Sequence, residues 1–215
     1  MDKILDTTLL MLGGSVITLE IFCVTLALSL PLGLFVALGR RSHFRMMSRL
    51  LEIYIWIMRG TPLMLQLLFV YFALPMVGIL LPDIAAALLA FVLNYAAYFA
   101  EIFRAGIHAI PRGQFEAARV LGMSYPLTMR RIILPQVLRI TLPPVSNETI
   151  NLVKDTSLVY ILAMNDLLRV ARTIVQREFD MTPFVIAGAF YLTMTAVLTW
   201  GFKRLEAYYG RYDSE

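Results

Sequence analysis

The sequence predicts an all-α, polytopic membrane protein with five transmembrane helices. Three observations carry that expectation. Of 215 residues, 59% are hydrophobic and only 16% charged, and the mean hydropathy is +0.73, more apolar than a soluble domain of this length needs. Apolar stretches of about 20 residues recur, each long enough to cross a hydrocarbon layer roughly 30 Å thick. The stretches are continuous rather than alternating, which disfavours a transmembrane β-barrel.

The first span covers about 9–38, more than hydrocarbon alone requires. It holds a lone acid, Glu20, and the only cysteine, Cys23. A single cysteine excludes an internal disulfide and makes a thiol-based metal site improbable; Cys23 is expected to be a packing residue. The second span, about 53–74, contains Arg59-Gly60-Thr61-Pro62. Arg59 either snorkels close to the inner interface, or it pairs with a neighbour near a gate beside a bend that Thr61 and Pro62 fix. The third span, about 84–103, carries Asn94, Tyr98 and Glu101 as one stripe at i, i+4 and i+7. The fourth, about 132–162, is expected to be interrupted at Pro143-Pro144. The fifth covers about 184–202. Trp56 and Trp200 suit interfacial anchoring.

Charge orders the loops. Segment 39–49 holds Arg40, Arg41, Arg45 and Arg49 without an acid, and 104–139 holds six arginines against Glu116 alone. The tail adds Lys203, Arg204 and Arg211, whereas 75–83 has only Asp83 and 165–183 is balanced. Positive residues favour the cytoplasm, so the N-terminus is expected outside and the C-terminus inside. Met1-Asp2-Lys3 lacks the basic start of a cleavable leader. The net charge of +4 is explained by this loop pattern, and nucleic acid is not an expected partner. A single copy of five spans cannot easily enclose a solute path, so a dimer is expected.

The basic segment 104–131 is the polar exception in an apolar chain. Residues 108–124 read as two short helices around Pro111-Arg112-Gly113. Glu116, Ala117, Ala118 and Leu121 favour helix, and Gly122 can end it in a left-handed conformation. Small alanines allow close approach of another backbone. Pro135, after Leu134, falls in the first turns of the next span, where a missing N–H costs little. Taken alone, the segment is equally an amphipathic interfacial helix.

The pattern Glu116-Ala117-Ala118-Arg119-Val120-Leu121-Gly122, followed by Ile132-Ile133-Leu134-Pro135, resembles the cytoplasmic coupling loop of ABC-importer permeases. Met58-Arg59-Gly60-Thr61-Pro62-Leu63, Asn94-Tyr95-Ala96-Ala97-Tyr98-Phe99-Ala100-Glu101 and Lys154-Asp155-Thr156-Ser157-Leu158 resemble signatures of the polar amino-acid subfamily, whose substrates include histidine and arginine, glutamine, glutamate, cystine and opines. The resemblance runs from about residue 14 to 205. It implies a type I importer permease: one transmembrane domain over 1–215 in a bacterial inner membrane, a second permease subunit, two ATPase subunits and an extracytoplasmic amino-acid-binding protein. ATP and Mg would belong to the ATPases. The coupling contacts would fall on Glu116, Ala117, Ala118, Arg119, Gly122, Leu134 and Pro135.

Charges at membrane depth usually face a cavity or a partner. After Pro143-Pro144 come Glu148, Asn151, Lys154 and Asp155, with Glu148, Asn151 and Asp155 on one helical face. The two carboxylates lie roughly 10 Å apart along the axis, a gap that suits a cationic amino acid. Glu148, Asp155, Asn151, Asn94 and Tyr98 are the candidate substrate residues. Asp155 is equally readable as an interhelical partner, for example of Lys154 in another subunit. Tyr98 can stack on a guanidinium or pack in the core. Glu101 pairs more naturally with Arg104, three residues on. No G-x-x-x-x-G-K-[ST] or hydrolytic constellation occurs, so no catalytic residue is expected. Two histidines without a cysteine partner do not suggest a metal site. The competing class is a stand-alone channel or ion-coupled carrier for small polar solutes.

Overall fold

The computed structural model describes residues 2–210, with side chains described for 4–209; Met1 and Arg211 lie outside them. All regular structure in this range is helical: α1 Asp2–Gly39, α2 Arg45–Gly60, α3 Leu63–Met76, α4 Asp83–Ala109, α5 Arg112–Val120, α6 Tyr125–Thr128, α7 Leu134–Asp155, α8 Leu167–Glu178 and α9 Thr182–Gly210. A π turn joins α6 to α7 at Met129–Ile133, and a 3-10 segment, Thr156–Leu162, continues α7.

α4 is the centre. It packs along α1 and against α2, α3 and α7. Its small residues make this possible: Ala86, Ala87, Ala90, Ala96, Ala97 and Ala100 are buried on several faces. Without a hydrophobic driving force between helices in lipid, close backbone approach replaces it. A β-carbon at Gly33 of α1 would lie 2.7 Å from Phe99 Cβ and 3.0 Å from the Ala96 carbonyl. Gly106 of α4 meets Thr141 and Val137 of α7 in the same way. A second cluster, Met11, Leu167, Ala171 and Ala187, ties α1, α8 and α9 together.

Among the described residues, three helices, α1, α4 and α9, are long and apolar enough to span alone. α2 and α3 pass only together, and they meet at 108°. The second predicted span is therefore bent rather than straight, at the Thr61-Pro62 position expected from sequence. α7 falls outside the apolar set because Gln136, Arg139, Asn147, Glu148 and Asn151 lower its hydropathy, with Lys154 and Asp155 at its end. Composition and length thus support three spans, or four with the bent pair, not five.

Other boundaries moved too. α7 runs unbroken through Pro143 and Pro144. Both prolines are exposed, so their missing donors fall on the open side, while Val137, Thr141, Val145 and Ser146 anchor the other side. The irregularity comes later, where α7 tightens at Thr156 and ends at Ala163 with φ 61°. Residues 108–109 belong to α4 rather than to a separate short helix. Segment 165–183 contains an amphipathic helix that charge counting hid. Asp166 caps α8, accepting from Leu168 N at 3.0 Å and Arg169 N at 3.1 Å, and Leu167, Ala171 and Ile174 form its buried face.

Candidate functional site

Two regions concentrate polar side chains: a cavity between α4 and α7, and the basic segment after α4. The cavity encloses about 390 Å3 and is lined by Arg59, Tyr98, Glu101, Thr141, Pro144 and Glu148 among others. Each element delivers its residue for a local reason. The Thr61-Pro62 bend ends α2 at Gly60, so Arg59 stands in its last turn, where the helix dipole favours a cation. The Arg59 guanidinium lies over the Tyr98 ring, 5.3 Å from its centroid. Tyr98 stands roughly 16 Å by helical rise from the Ala109 end of α4, and Arg59, itself exposed, lies at that level of the helix.

The bend is held by a dense hydrogen-bond cluster. Asn94 Nδ2 donates to Met58 O at 3.0 Å and to Gln66 Oε1 at 3.0 Å. Gln66 Nε2 donates to Met58 O at 2.9 Å and to Thr61 Oγ1 at 2.7 Å. These bonds satisfy carbonyls orphaned where α2 stops. The buried Asn94 thus faces the bend, not the cavity, and both its amide hydrogens are committed.

On α7, Glu148 lines the cavity, with Asn151 one turn on along the same helix. Asp155, two turns on, does not line it. Tyr95 Oη of α4 donates to Asp155 Oδ2 at 2.7 Å, an interhelical role filled by a tyrosine rather than by Lys154, which is exposed. Glu101 is bound as expected by Arg104, through Nε at 2.9 Å and a second contact from Nη2. Arg40 at the end of α1 adds a bond of 3.0 Å to Glu101 and lies 3.5 Å from Glu52. Tyr95, Gln66 and Arg40 were missed from sequence. Tyr95 was readable, one turn before Tyr98; the Arg40 contact joins residues 61 apart in the chain and was not.

In the basic segment, α5 ends as its glycine predicts. Gly122 has φ 71°. Gly122 N donates to Arg119 O and Met123 N to Ala118 O, both at 3.0 Å, which is the Schellman pairing. Glu116, Ala117, Arg119 and Gly122 are exposed, but Ala118 is buried against its own chain. Val120 and Leu121 form an apolar tip, 88% and 77% exposed. Pro135 sits at the start of α7, where Leu134 N instead reaches back to Met129 O across the π turn. Glu20 and Cys23 both face outward, so Cys23 does not pack inside the chain. No cluster of metal-ligating residues occurs among the described residues.

A largely apolar cavity carrying a few ionisable side chains, among membrane-length helices and beside a basic helix with an exposed apolar tip, fits a membrane transport subunit. The chain belongs to the binding-protein-dependent transport system inner membrane components, whose family model matches residues 29–209, and within them to the amino-acid permeases. A probable amino-acid ABC transporter permease protein of Bacillus subtilis, YckA, is 40% identical over 91% of this chain and 87% of its own length. The arginine transport system permease protein ArtQ of the same organism is 39% identical over 91% and 90%. The crystal structure of an amino acid ABC transporter with histidines contains a chain 34% identical to this one. It covers 95% of this chain and 96% of its own, with a TM-score of 0.88. The fold is that of type I importer permeases.

Proposed function

We propose that this chain is the permease subunit of an ATP-driven importer of a polar, basic L-amino acid. The observation that carries this reading is the cavity that brings the Arg59 guanidinium, the Tyr98 ring and the Glu148 carboxylate together. An amino acid presents an α-carboxylate and an α-ammonium, and opposite charges on one cavity wall suit both. A volume near 390 Å3 is within the range for small-molecule sites. Glu148 with Asn151 takes the cationic end, Tyr98 supplies a stacking face, and Asp155, two turns further along α7 and outside the cavity, is a second acid on the outward side. Asn94, Thr61 and Pro62 shape the site by fixing the bend.

The whole chain acts as one transmembrane domain. α2 with α3 forms the second span and α7 the fourth, five in all, with the N-terminus outside and the C-terminus in the cytoplasm. Residues 104–131 couple it to two ATPase subunits, which hold ATP and Mg. Val120, Leu121, Ala117, Glu116 and Arg119 supply the docking surface, and Leu134-Pro135 starts the return span. α9, exposed along most of its length, leaves a long apolar face for lipid or a second permease subunit. An extracytoplasmic binding protein delivers the substrate. The test is uptake of labelled arginine, lysine and histidine by proteoliposomes, with and without the ATPase. Uptake needing both ATP and the ATPase supports the reading; uptake by the chain alone identifies a channel or carrier.

A further inference from the structure

The ends of α1 and α4 leave a second recess, apart from the substrate cavity, that shares only Glu116 and Arg119 with the docking surface. It encloses about 470 Å3 and is bounded by Arg41, His108, Arg112, Phe115, Glu116 and Arg119. Arg41 lies 5.9 Å from the Phe115 ring centroid, which holds its guanidinium at the rim. No ion pair among the described residues engages Arg41, Arg112 or Arg119. Three guanidiniums thus face a single carboxylate, Glu116. On α5, Arg112, Glu116 and Arg119 share one side at i, i+4 and i+7. Ala117 and Leu121 lie on the other, so filling the recess leaves that side of α5 free.

At Arg41 and Tyr125 this recess meets another of about 670 Å3, walled by Leu38, Phe44 and Met129. Phe44, Met46, Met47 and Leu50, just beyond, are exposed. A cationic pocket joined to an apolar trough, at the ends of two long spans, is the arrangement an amphiphilic anion requires. We propose that the recess binds the phosphate of an anionic phospholipid in the inner leaflet. Arg41, Arg112 and Arg119 surround the phosphate, and the trough receives the start of an acyl chain. A soluble phosphate shares the head-group chemistry but would leave the trough unused. The leaflet follows from the orientation proposed above; the pocket does not depend on it.

The test is native mass spectrometry of the detergent-purified complex in mixed micelles of phosphatidylglycerol and phosphatidylcholine. Phosphatidylglycerol should be retained preferentially. Removing a guanidinium near an anionic surface weakens binding on the order of fivefold, so R41Q/R112Q should lose most of the retained lipid. R130Q/R131Q removes equal charge from exposed positions outside the recess and should retain it. If R41Q/R112Q misfolds, R112Q alone, on the exposed start of α5, should show the single fivefold loss. The proposal is overturned by equal retention of the two lipids, by equal loss in both double variants, or by displacement with excess inorganic phosphate, which would mark a soluble-anion site. Retention in detergent is independent of orientation, so an inverted topology would change the leaflet and leave this result intact.

Discussion

Tyr95 and Asp155 join the centre of α4 to the end of α7 through a 2.7 Å hydrogen bond. The bond lies where α7 gives way to the 3-10 segment, so it fixes the point at which the helix tightens. Tyr95→Phe removes the donor and leaves a half-buried carboxylate without it. A loss of about 1–3 kcal/mol is expected, visible as a lowered unfolding midpoint in detergent. Asp155→Asn keeps an acceptor for Tyr95 and should preserve that midpoint. If Asp155→Asn nevertheless abolishes arginine uptake, the charge serves the substrate; an unchanged uptake assigns Asp155 to structure alone.

Glu148→Gln changes one charge on the cavity wall with little change of shape. A hydrogen bond to a charged group contributes about 1.5–3 kcal/mol, so affinity for a basic amino acid should fall about tenfold to a hundredfold. Assembly with the ATPase should persist. Uptake of arginine and lysine equal to that of the parent chain would remove Glu148 from the site.

Docking is tested on the α5 tip. Ala117→Cys or Leu121→Cys should crosslink to the ATPase in an active complex, whereas Ala118→Cys, buried against its own chain, should resist both crosslinker and water-soluble maleimide. Gly122→Val places a β-branched residue at φ 71°, a conformation such residues avoid. It should impair ATPase association or uncouple hydrolysis while the chain still inserts. The absence of any crosslink from 117 or 121 in an active complex would locate the docking surface elsewhere.

Topology follows from labelling. Cysteine at Ser42 should react only from the cytoplasmic side and cysteine at Thr182 only from outside. Reversed labelling would invert the orientation and move α5 away from any cytoplasmic ATPase.

Asp166 predicts a pH dependence. Burial pushes its carboxyl from the ordinary 3.8 up to about 6, against the opposing pull of the Leu168 and Arg169 N–H groups. Between those values the folded chain holds a proton that the unfolded chain has released. Stability from this group is therefore full below about pH 4 and is lost as pH rises through about 6, on the order of 2–3 kcal/mol. Asp166→Asn keeps an acceptor for the helix start and should flatten the profile. Unfolding midpoints across pH 4 to 7.5 check this; a parent profile already flat would remove the buried charge as its cause.

What could be read in the sequence was local. The Thr61-Pro62 bend, the left-handed Gly122, the Glu101–Arg104 pair and the apolar helices follow from propensity, hydropathy and spacing within a turn or two. What could not be read was tertiary. Pro143-Pro144 is a strong local signal against helix, yet packing of the opposite face overrides it. Asn94 has the right chemistry for a ligand, but the bend consumes its donors, which only the approach of α2 and α3 reveals. Asp166 and the spacing of Leu167, Ala171 and Ile174 did announce α8; counting charges across the loop averaged that periodicity away.

The 108° elbow between α2 and α3 is clamped rather than hinged, because Asn94 and Gln66 bind the end of one arm to the start of the other. A loose joint absorbs motion, and a clamped one works as a crank. The far arm begins at Arg45, on the side of the molecule that bears α5. Two arms so braced turn as one rigid piece, with Arg59 in the last turn of the first arm, beside the joint.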